Sequence, residues 1–187
     1  MRAPHAISIQ TSMIGHELQA ANGLLEWFLT QETRCTCFTQ AIFSGLPTVE
    51  LARLLRDFVI PGPSLAGVFH VAARPISNFE LLRLVAEVYE KTIELVPVDR
   101  VVIDRSLNAD RFRAATGYEP PGWPELITTM HTDHLRQNSL VIQEDGKSAT
   151  RPRLSSGAER HPRRVGPPCR LCSWSDSSRL ETTPQIR

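Results

Sequence analysis

The 187-residue sequence has no apolar run near the roughly 20 residues that a membrane-spanning helix needs. It also lacks an excess of charge of one sign, since 21 basic and 20 acidic side chains leave a formal net charge of +1. These absences argue against a membrane protein and against nucleic acid or an anionic membrane as the main partner. The amino terminus lacks the apolar core of a signal peptide, so we expect a cytoplasmic protein.

Motifs of self-sufficient enzymes are missing as well. The ten glycines form neither Gly-x-Gly-x-x-Gly nor Gly-x-x-Gly-x-x-Gly, the turn that places a dinucleotide pyrophosphate at a helix amino terminus. Neither tyrosine, Tyr89 nor Tyr118, is followed four residues later by lysine, and no P-loop, His-Glu-x-x-His or Gly-x-Ser-x-Gly occurs. The sequence therefore assigns no catalytic residue.

Four cysteines lie in two close pairs, Cys35 with Cys37 and Cys169 with Cys172. Two such pairs are typical of zinc sites. However, one residue separates the first pair, and no histidine at zinc-finger spacing accompanies either. We expect reduced thiols and no metal.

The chain divides into two regions, residues 1–137 and 138–187. The first holds twelve basic and fifteen acidic residues, and the second nine basic and five acidic residues among many Ser, Pro and Arg. Apolar residues in the second region have no period of two or 3.6, so we expect a disordered tail. A basic tail for an acidic partner is the alternative, and a change of reading frame between His131 and Asn138 would produce the same break.

Residues 1–137 alternate between strand and helix patterns, which predicts an α/β fold with helices packed on a small sheet. The expected strands are Ala6–Thr11, Thr39–Phe43, Gly67–Ala73 and Ile93–Val96. The expected helices are Gly23–Thr30, Val49–Ile60, residues 77 to about 91, Asn108–Thr116 and Pro124–Leu135. Gly67–Ala73 is apolar on both faces, as in a parallel sheet covered by helices.

Capping residues support four of these helices. Asn22 and Thr48 are expected N-caps. Ser77 and Glu80 form the pattern of a capping box, in which each side chain bonds the other residue's amide. Gly117 is expected to end its helix in a left-handed conformation.

An ordered series of segments resembles the second half of extended short-chain dehydrogenases/reductases, above all the dTDP-4-dehydrorhamnose reductase branch. The segments are Gln10–Leu18, Ala41–Ala52, Phe69–Ala72, Ile76–Leu82, Ile103–Asn108, Arg111–Tyr118 and Trp123–Leu126. The resemblance covers roughly residues 5–131. It implies part of a Rossmann-like fold, with NAD(P) as the family's cofactor and a sugar nucleotide such as a dTDP-sugar as the ligand.

The resemblance also implies site residues. Thr11 and Ser12 match the segment that passes the nicotinamide, and Met13 and Ile14 the part that meets the sugar. Small hydroxyls can bond a carboxamide or a sugar hydroxyl without filling the cleft. The alternative is that Thr11 and Ser12 only end a strand in a turn. Gln10 stands where relatives often carry arginine.

Arg105 is the candidate for the nucleotide diphosphate, because a planar guanidinium matches phosphate oxygens. A local salt bridge to Asp104 or Asp110 is the alternative.

Four further residues are interpreted as structural. Thr48 and Glu50 are expected as a cap and a surface residue. His16 lies near the predicted substrate segment but has no evident partner, and His70 is expected to be buried and hydrogen-bonded.

The resulting hypothesis is the substrate-binding portion of a sugar-nucleotide reductase that is inactive alone. A non-catalytic sugar-nucleotide or protein binding module, or a piece of a related NAD-dependent epimerase or dehydratase, is the alternative. Strand Ala6–Thr11 would have an open edge, which predicts self-association and weak stability.

Overall fold

The computed structural model of the chain describes residues 6–17, 23–62 and 65–145. The strands of this part are β1 (Ile7–Gln10), β2 (Met13–Ile14), β3 (Arg34–Phe38), β4 (Ala41–Phe43), β5 (Leu46–Pro47), β6 (Gly67–His70), β7 (Ile76–Ser77), β8 (Glu94–Val98) and β9 (Ile103–Asp104). The helices are α1 (Leu24–Thr30), α2 (Thr48–Leu54), α3 (Asn78–Val88), α4 (Asp110–Thr116) and α5 (Trp123–Asp145).

The described strands form four small sheets. β1 pairs in parallel with β6, β2 with β5, and β3 with β8. β4 lies between antiparallel β7 and parallel β9. Parallel pairing with intervening helices confirms the expected α/β class.

β6 is shorter than predicted and is not covered on both faces. It ends at His70, and its Val68 side chain is 47% exposed while Phe69 is buried. Arg111 of α4 covers this strand, since its guanidinium donates to the Val68 carbonyl at 2.9 Å and lies 4.6 Å from the centre of the Phe69 ring.

β3 is a strand that the sequence patterns did not predict. Cys35 and Cys37 both point from it into the core, with their Sγ atoms 3.7 Å apart. That distance is a packing contact rather than a covalent bond. Among the described residues no group of three or more histidine, cysteine or acidic side chains could hold a metal. Cys169 and Cys172 lie outside the described residues.

The helix predicted from Val49 to Ile60 is two pieces. α2 begins at Thr48, because β5 runs directly into it through Pro47, so Thr48 is in the first turn and is not the N-cap. A π-helical turn, Leu55–Val59, follows, and the Ile60 amide donates to the Leu55 carbonyl at 2.9 Å. Ile60, at the end of the predicted helix, follows this wider turn, and its side chain is exposed.

The capping box at α3 is made only in part. The Ser77 hydroxyl accepts from the Glu80 amide at 3.1 Å, as predicted. The Glu80 carboxylate does not bond back but accepts two hydrogen bonds from Arg83, at 2.8 and 3.0 Å. Ser77 itself is paired with Ile42 in the sheet. Gly117 ends α4 with φ of 72°, which confirms the predicted left-handed cap.

The first two turns of α5 pack into the core of the fold, and its later turns are more exposed. Leu126, Ile127 and Met130 are buried, and the Trp123 indole donates to the Arg74 carbonyl at 2.7 Å. The helix continues past its predicted end at Leu135 to Asp145.

The extension of α5 combines polar residues with the short apolar run at residues 140–142 and has no helical period, so the sequence pattern did not predict it. Side chains one turn apart bond along it, as in Gln137 to Asp133 at 2.7 Å and Ser139 to the Leu135 carbonyl at 2.8 Å. It crosses the predicted boundary at 137/138. Most of the predicted disordered tail, residues 146–187, lies outside the described residues. No helix in the described part is long and apolar enough to cross a membrane.

Replacing Ser77 with alanine removes the acceptor for the Glu80 amide. We expect the free energy of unfolding to fall by about 1 kcal/mol, as for other lost N-caps. Urea denaturation followed by circular dichroism measures it. Glu80→Gln is the matched control, because it weakens the pair with Arg83 and leaves the cap intact. A larger loss in Glu80→Gln than in Ser77→Ala would contradict this account of α3.

Candidate functional site

The loop between β1 and β2 carries the two predicted cofactor-contacting hydroxyls. Thr11 and Ser12 are both half-buried. The Thr11 hydroxyl donates to the Ser12 carbonyl at 3.1 Å, and the same carbonyl accepts from the Leu46 amide at 2.9 Å. The loop is thus held by its own backbone, and the oxygen of Thr11 can still accept a bond.

The two predicted sugar-contacting side chains point in opposite directions, as successive residues of a strand must. Met13 is 60% exposed. Ile14 is 5% exposed and belongs to the core. Ile14 can therefore shape a nearby site through packing, while Met13 is accessible to a ligand.

Residues 44–46, which we call the connector, join β4 to β5. The Ser44 side chain is buried, and its hydroxyl accepts from the Leu107 amide at 2.9 Å. The Ser44 carbonyl accepts from the Ala73 amide at 2.8 Å. One residue therefore holds both the loop after β9 and the segment after β6.

Gly45 lets the connector approach the loop that contains Ser12. A Cβ at this position would overlap the Ser12 carbonyl and the Phe43 ring. Only glycine fits without a shift of backbone, because the Ser12 carbonyl already accepts from Leu46.

Arg105 follows β9, and its side chain lines an apolar cavity of about 110 Å³. Its amide donates to the Ile42 carbonyl at 3.1 Å. The other residues of the lining are Leu24, Phe38, Ala41, Ile42, Phe43, Asn78, Leu81, Val101 and Ile103. Arg105 is the one charged side chain among them, so it sets the electrostatic character of the cavity.

The two acidic residues weighed as partners of Arg105 have other contacts. Asp110 pairs with Arg113 at 3.1 Å, one turn along α4. Asp104 accepts from the Ser106 amide at 2.8 Å, which lowers the pKa of its carboxyl.

Asn78 is a cavity residue that sequence reasoning did not single out. It begins α3, and its side-chain oxygen accepts from the Phe38 amide at 3.0 Å. The sequence pattern did not indicate a role for Asn78, because this residue lies between Ser77 and Glu80, which were interpreted only as a capping box.

Glu50 was predicted on the surface, and that prediction is wrong. Its side chain is buried and accepts from the Tyr118 hydroxyl at 3.0 Å, with Arg53 at 3.6 Å. Burial, together with the charge of Glu50, raises the pKa of the Tyr118 hydroxyl. The helical period of α2 groups Glu50 with exposed positions, which led to the wrong prediction. Only the tertiary fold brings Tyr118 into contact with Glu50.

His16 was predicted to be without a partner, and that is also wrong. Its Nδ1 lies 2.7 Å from a Glu26 oxygen and its Nε2 2.9 Å from the Tyr89 hydroxyl. Burial outweighs the attraction of Glu26 and lowers the pKa of His16. Burial also raises the pKa of Tyr89.

His70 and Gln10 are neighbours across the β1–β6 pair. The His70 Nε2 lies 2.7 Å from the Gln10 side-chain oxygen. His70 is hydrogen-bonded as predicted but only half-buried.

No protein-family model matches the sequence, and no curated protein matches it. Three solved enzymes match the structure. The dTDP-4-dehydrorhamnose reductase of Bacillus anthracis str. Ames, in complex with NADP, aligns with a TM-score of 0.57 and 17% identity over 68% of this chain and 47% of that chain. The dTDP-glucose 4,6-dehydratase of the same organism, with NAD, aligns with a TM-score of 0.53 and 14% identity over 71% and 45% of the two chains. RMD from Pseudomonas aeruginosa, with NADPH, aligns with a TM-score of 0.52 and 17% identity over 69% and 47%.

The fold is that of part of these solved structures. This confirms the Rossmann-like α/β fold and the resemblance that the sequence segments indicated. The chain spans about half the length of the solved enzymes it matches. At this level of identity the likeness is one of fold, so the roles of Thr11, Ser12, Met13, Ile14 and Arg105 stay predictions.

Replacing Gly45 with alanine should disturb the site's backbone. We expect a loss of about 1–3 kcal/mol in the free energy of unfolding, since the added Cβ has no space against Ser12. Chemical denaturation measures it. Gly122→Ala is the control, because the nearest atom to its Cβ, on Pro124, is 3.8 Å away. Equal stability of the two variants would refute the close approach at Gly45.

Proposed function

We propose that this chain supplies the sugar-nucleotide-binding part of an NAD(P)-dependent reductase of the dTDP-4-dehydrorhamnose reductase type. The observation that carries the proposal is Arg105, placed at an apolar cavity and tied by the connector to the Thr11–Ile14 segment. A guanidinium suits a diphosphate, and the small apolar cavity beside it can take one part of the rest of a nucleotide. The dTDP-sugar enzymes of the same fold support this choice of ligand.

The residues of the chain fit NAD(P) only in part. Thr11 and Ser12 can accept hydrogen bonds from a nicotinamide carboxamide, and a hydride donor would be supplied by that cofactor. The sequence holds no glycine-rich turn for the pyrophosphate and no Tyr-x-x-x-Lys pair. We therefore propose that the remaining cofactor contacts and the catalytic pair come from other residues than those of this sequence, and that the chain alone does not carry out the reduction.

A dehydratase-type relative is the second candidate. The dTDP-glucose 4,6-dehydratase aligns nearly as well as the reductase, with TM-scores of 0.53 and 0.57. The third, a non-catalytic module, requires only that the cavity bind a sugar nucleotide or a protein. A dTDP-sugar that binds without being converted would leave the module as the best description of the isolated chain.

The remaining expectations about partners and location stay predictions. The low net charge favours neither nucleic acid nor membrane. β1 pairs only with β6 among the described strands, which keeps self-association through its second edge a prediction. A cytoplasmic location is likewise part of this proposal.

Replacing Arg105 with glutamine tests the diphosphate contact. We expect binding of a dTDP-sugar to weaken by about tenfold to a hundredfold, the range for a lost charge-assisted hydrogen bond. Isothermal titration calorimetry measures it. Binding of thymidine, which has no phosphate, should change little.

Arg100→Gln is the matched control, since it removes an equal charge from an exposed position nearby in sequence. If both variants lose the same affinity, general charge rather than Arg105 attracts the ligand. If the unaltered chain binds no dTDP-sugar, the proposal fails.

The isolated chain should not oxidise NADH or NADPH in the presence of a dTDP-4-keto sugar. The reason is the missing pyrophosphate turn and catalytic pair. Absorbance at about 340 nm follows the cofactor, with the intact reductase from Bacillus anthracis as the positive control. A steady, protein-dependent loss of absorbance would overturn the prediction of inactivity.

A further inference from the structure

A cluster of titratable side chains joins four parts of the fold away from the Arg105 cavity. His16 follows β2, Glu26 lies on α1, Tyr89 ends α3, and His131 and His134 lie on α5. The His16 and His134 rings are stacked, with centroids 3.5 Å apart and planes at 15°. The Tyr89 and His131 rings are 4.2 Å apart.

The hydrogen bonds of the two stacked rings suit their neutral forms. With its proton on Nδ1, His16 donates to Glu26, and its Nε2 accepts from the Tyr89 hydroxyl. The His134 Nε2 lies 3.0 Å from the side-chain nitrogen of Asn138, an amide donor, and so acts as an acceptor. An N–H on the His134 Nε2 would face the Asn138 amide donor, whereas the Tyr89 hydroxyl beside His16 can accept as well as donate.

The stack is the last contact between α5 and the rest of the described fold. Met130 is buried, His131, Asp133 and His134 are half-buried, and the described side chains from Leu135 onward are exposed. A cavity of about 280 Å³ lies beside the stack, between α5 and the start of α2. The His16–His134 stack and the contact between the Tyr89 and His131 rings join this part of α5 to the body of the fold.

We propose that the His16–His134 stack is a pH-sensitive latch that holds the end of α5 at neutral pH and releases it when the cluster takes up protons. Two imidazolium rings at stacking distance repel each other, so both cannot be charged while the stack persists. Release would widen the adjacent cavity. It would also free His16, which follows β2 and Gly15.

The other charged groups that face the cluster do not remove this effect. Glu26 favours a protonated His16, but burial and the two other histidines oppose it, and the pKa of His16 is lowered. Asp133 lines the cavity, and its carboxylate accepts a hydrogen bond from Gln137 at 2.7 Å. Tyr89 is neutral throughout this range, since burial raises its pKa.

The sign of the pH dependence follows from the lowered pKa of His16. The unfolded chain binds a proton near the ordinary histidine value of about 6.5, while the folded state resists it. The contribution to stability is therefore complete above about pH 6.5 and is lost as the pH falls through the lower, folded value. Acid, not base, opens the latch.

Hydrogen–deuterium exchange of the full chain tests the latch through peptides that cover residues 131–139. We expect protection, corrected for intrinsic exchange, to be lost between about pH 7.5 and about pH 5.5 as the cluster takes up protons. Peptides from α3 should keep their protection over the same range. Unchanged protection of residues 131–139 would overturn the proposal.

Two substitutions of His134 separate titration from packing. His134→Phe keeps a flat ring and should keep protection at both pH values, whereas His134→Ala should lose it at both. His134 is a half-buried helix position, and circular dichroism checks that both variants fold. His70→Asn is the control for a histidine outside the cluster and should retain the pH response of the unaltered chain. A pH response in His134→Phe equal to that of the unaltered chain would refute the role of the stack.

Discussion

The contacts of the connector are the constraint on which the site depends. Ser44 and Leu46 join three segments distant in sequence: the loop at Ser12, the end of the β6 segment at Ala73 and the loop at Leu107. Each bond is made between groups withdrawn from water, where an unmade bond costs about 1–3 kcal/mol. Gly45 allows the close approach that these bonds require. The connector therefore joins three of the four small sheets at this point: β1–β6, β2–β5 and β7–β4–β9.

Buried polar groups elsewhere follow the same logic. Glu50 accepts from Tyr118, and the Trp123 indole donates to the Arg74 carbonyl. Within the described ranges no buried side-chain nitrogen or oxygen lacks a hydrogen-bond partner. Such pairs orient helices α2 and α5 more precisely than apolar packing alone, because a misplaced helix would leave a polar group unsatisfied. The His16 cluster differs in containing imidazole rings that can take up a proton, which makes the same kind of contact conditional.

The sequence patterns succeeded where the signal is local or strongly periodic. The Ser77 cap, the left-handed Gly117 and the strand at β1 are examples. They failed where the outcome depends on distant partners. β3 has the short mixed pattern Arg-Cys-Thr-Cys-Phe and becomes a strand because β8 pairs with it. The last part of α5 has no helical period of apolar residues, so the sequence pattern did not predict that the helix extends there.

The sequence by itself determined the α/β class, the order of the segments and the candidates at Thr11–Ile14 and Arg105. The class and the order follow from side-chain periodicity and capping chemistry, which are properties of neighbouring residues, whereas the candidate residues come from the resemblance of the motifs to those of a known family. Only the tertiary structure decided that Ile14 is core while Met13 is exposed, that Arg105 meets an apolar cavity, and that His16 meets Glu26, Tyr89 and His134. Burial and hydrogen-bond partners are set by chain segments tens of residues apart, and no local pattern encodes which of them will meet.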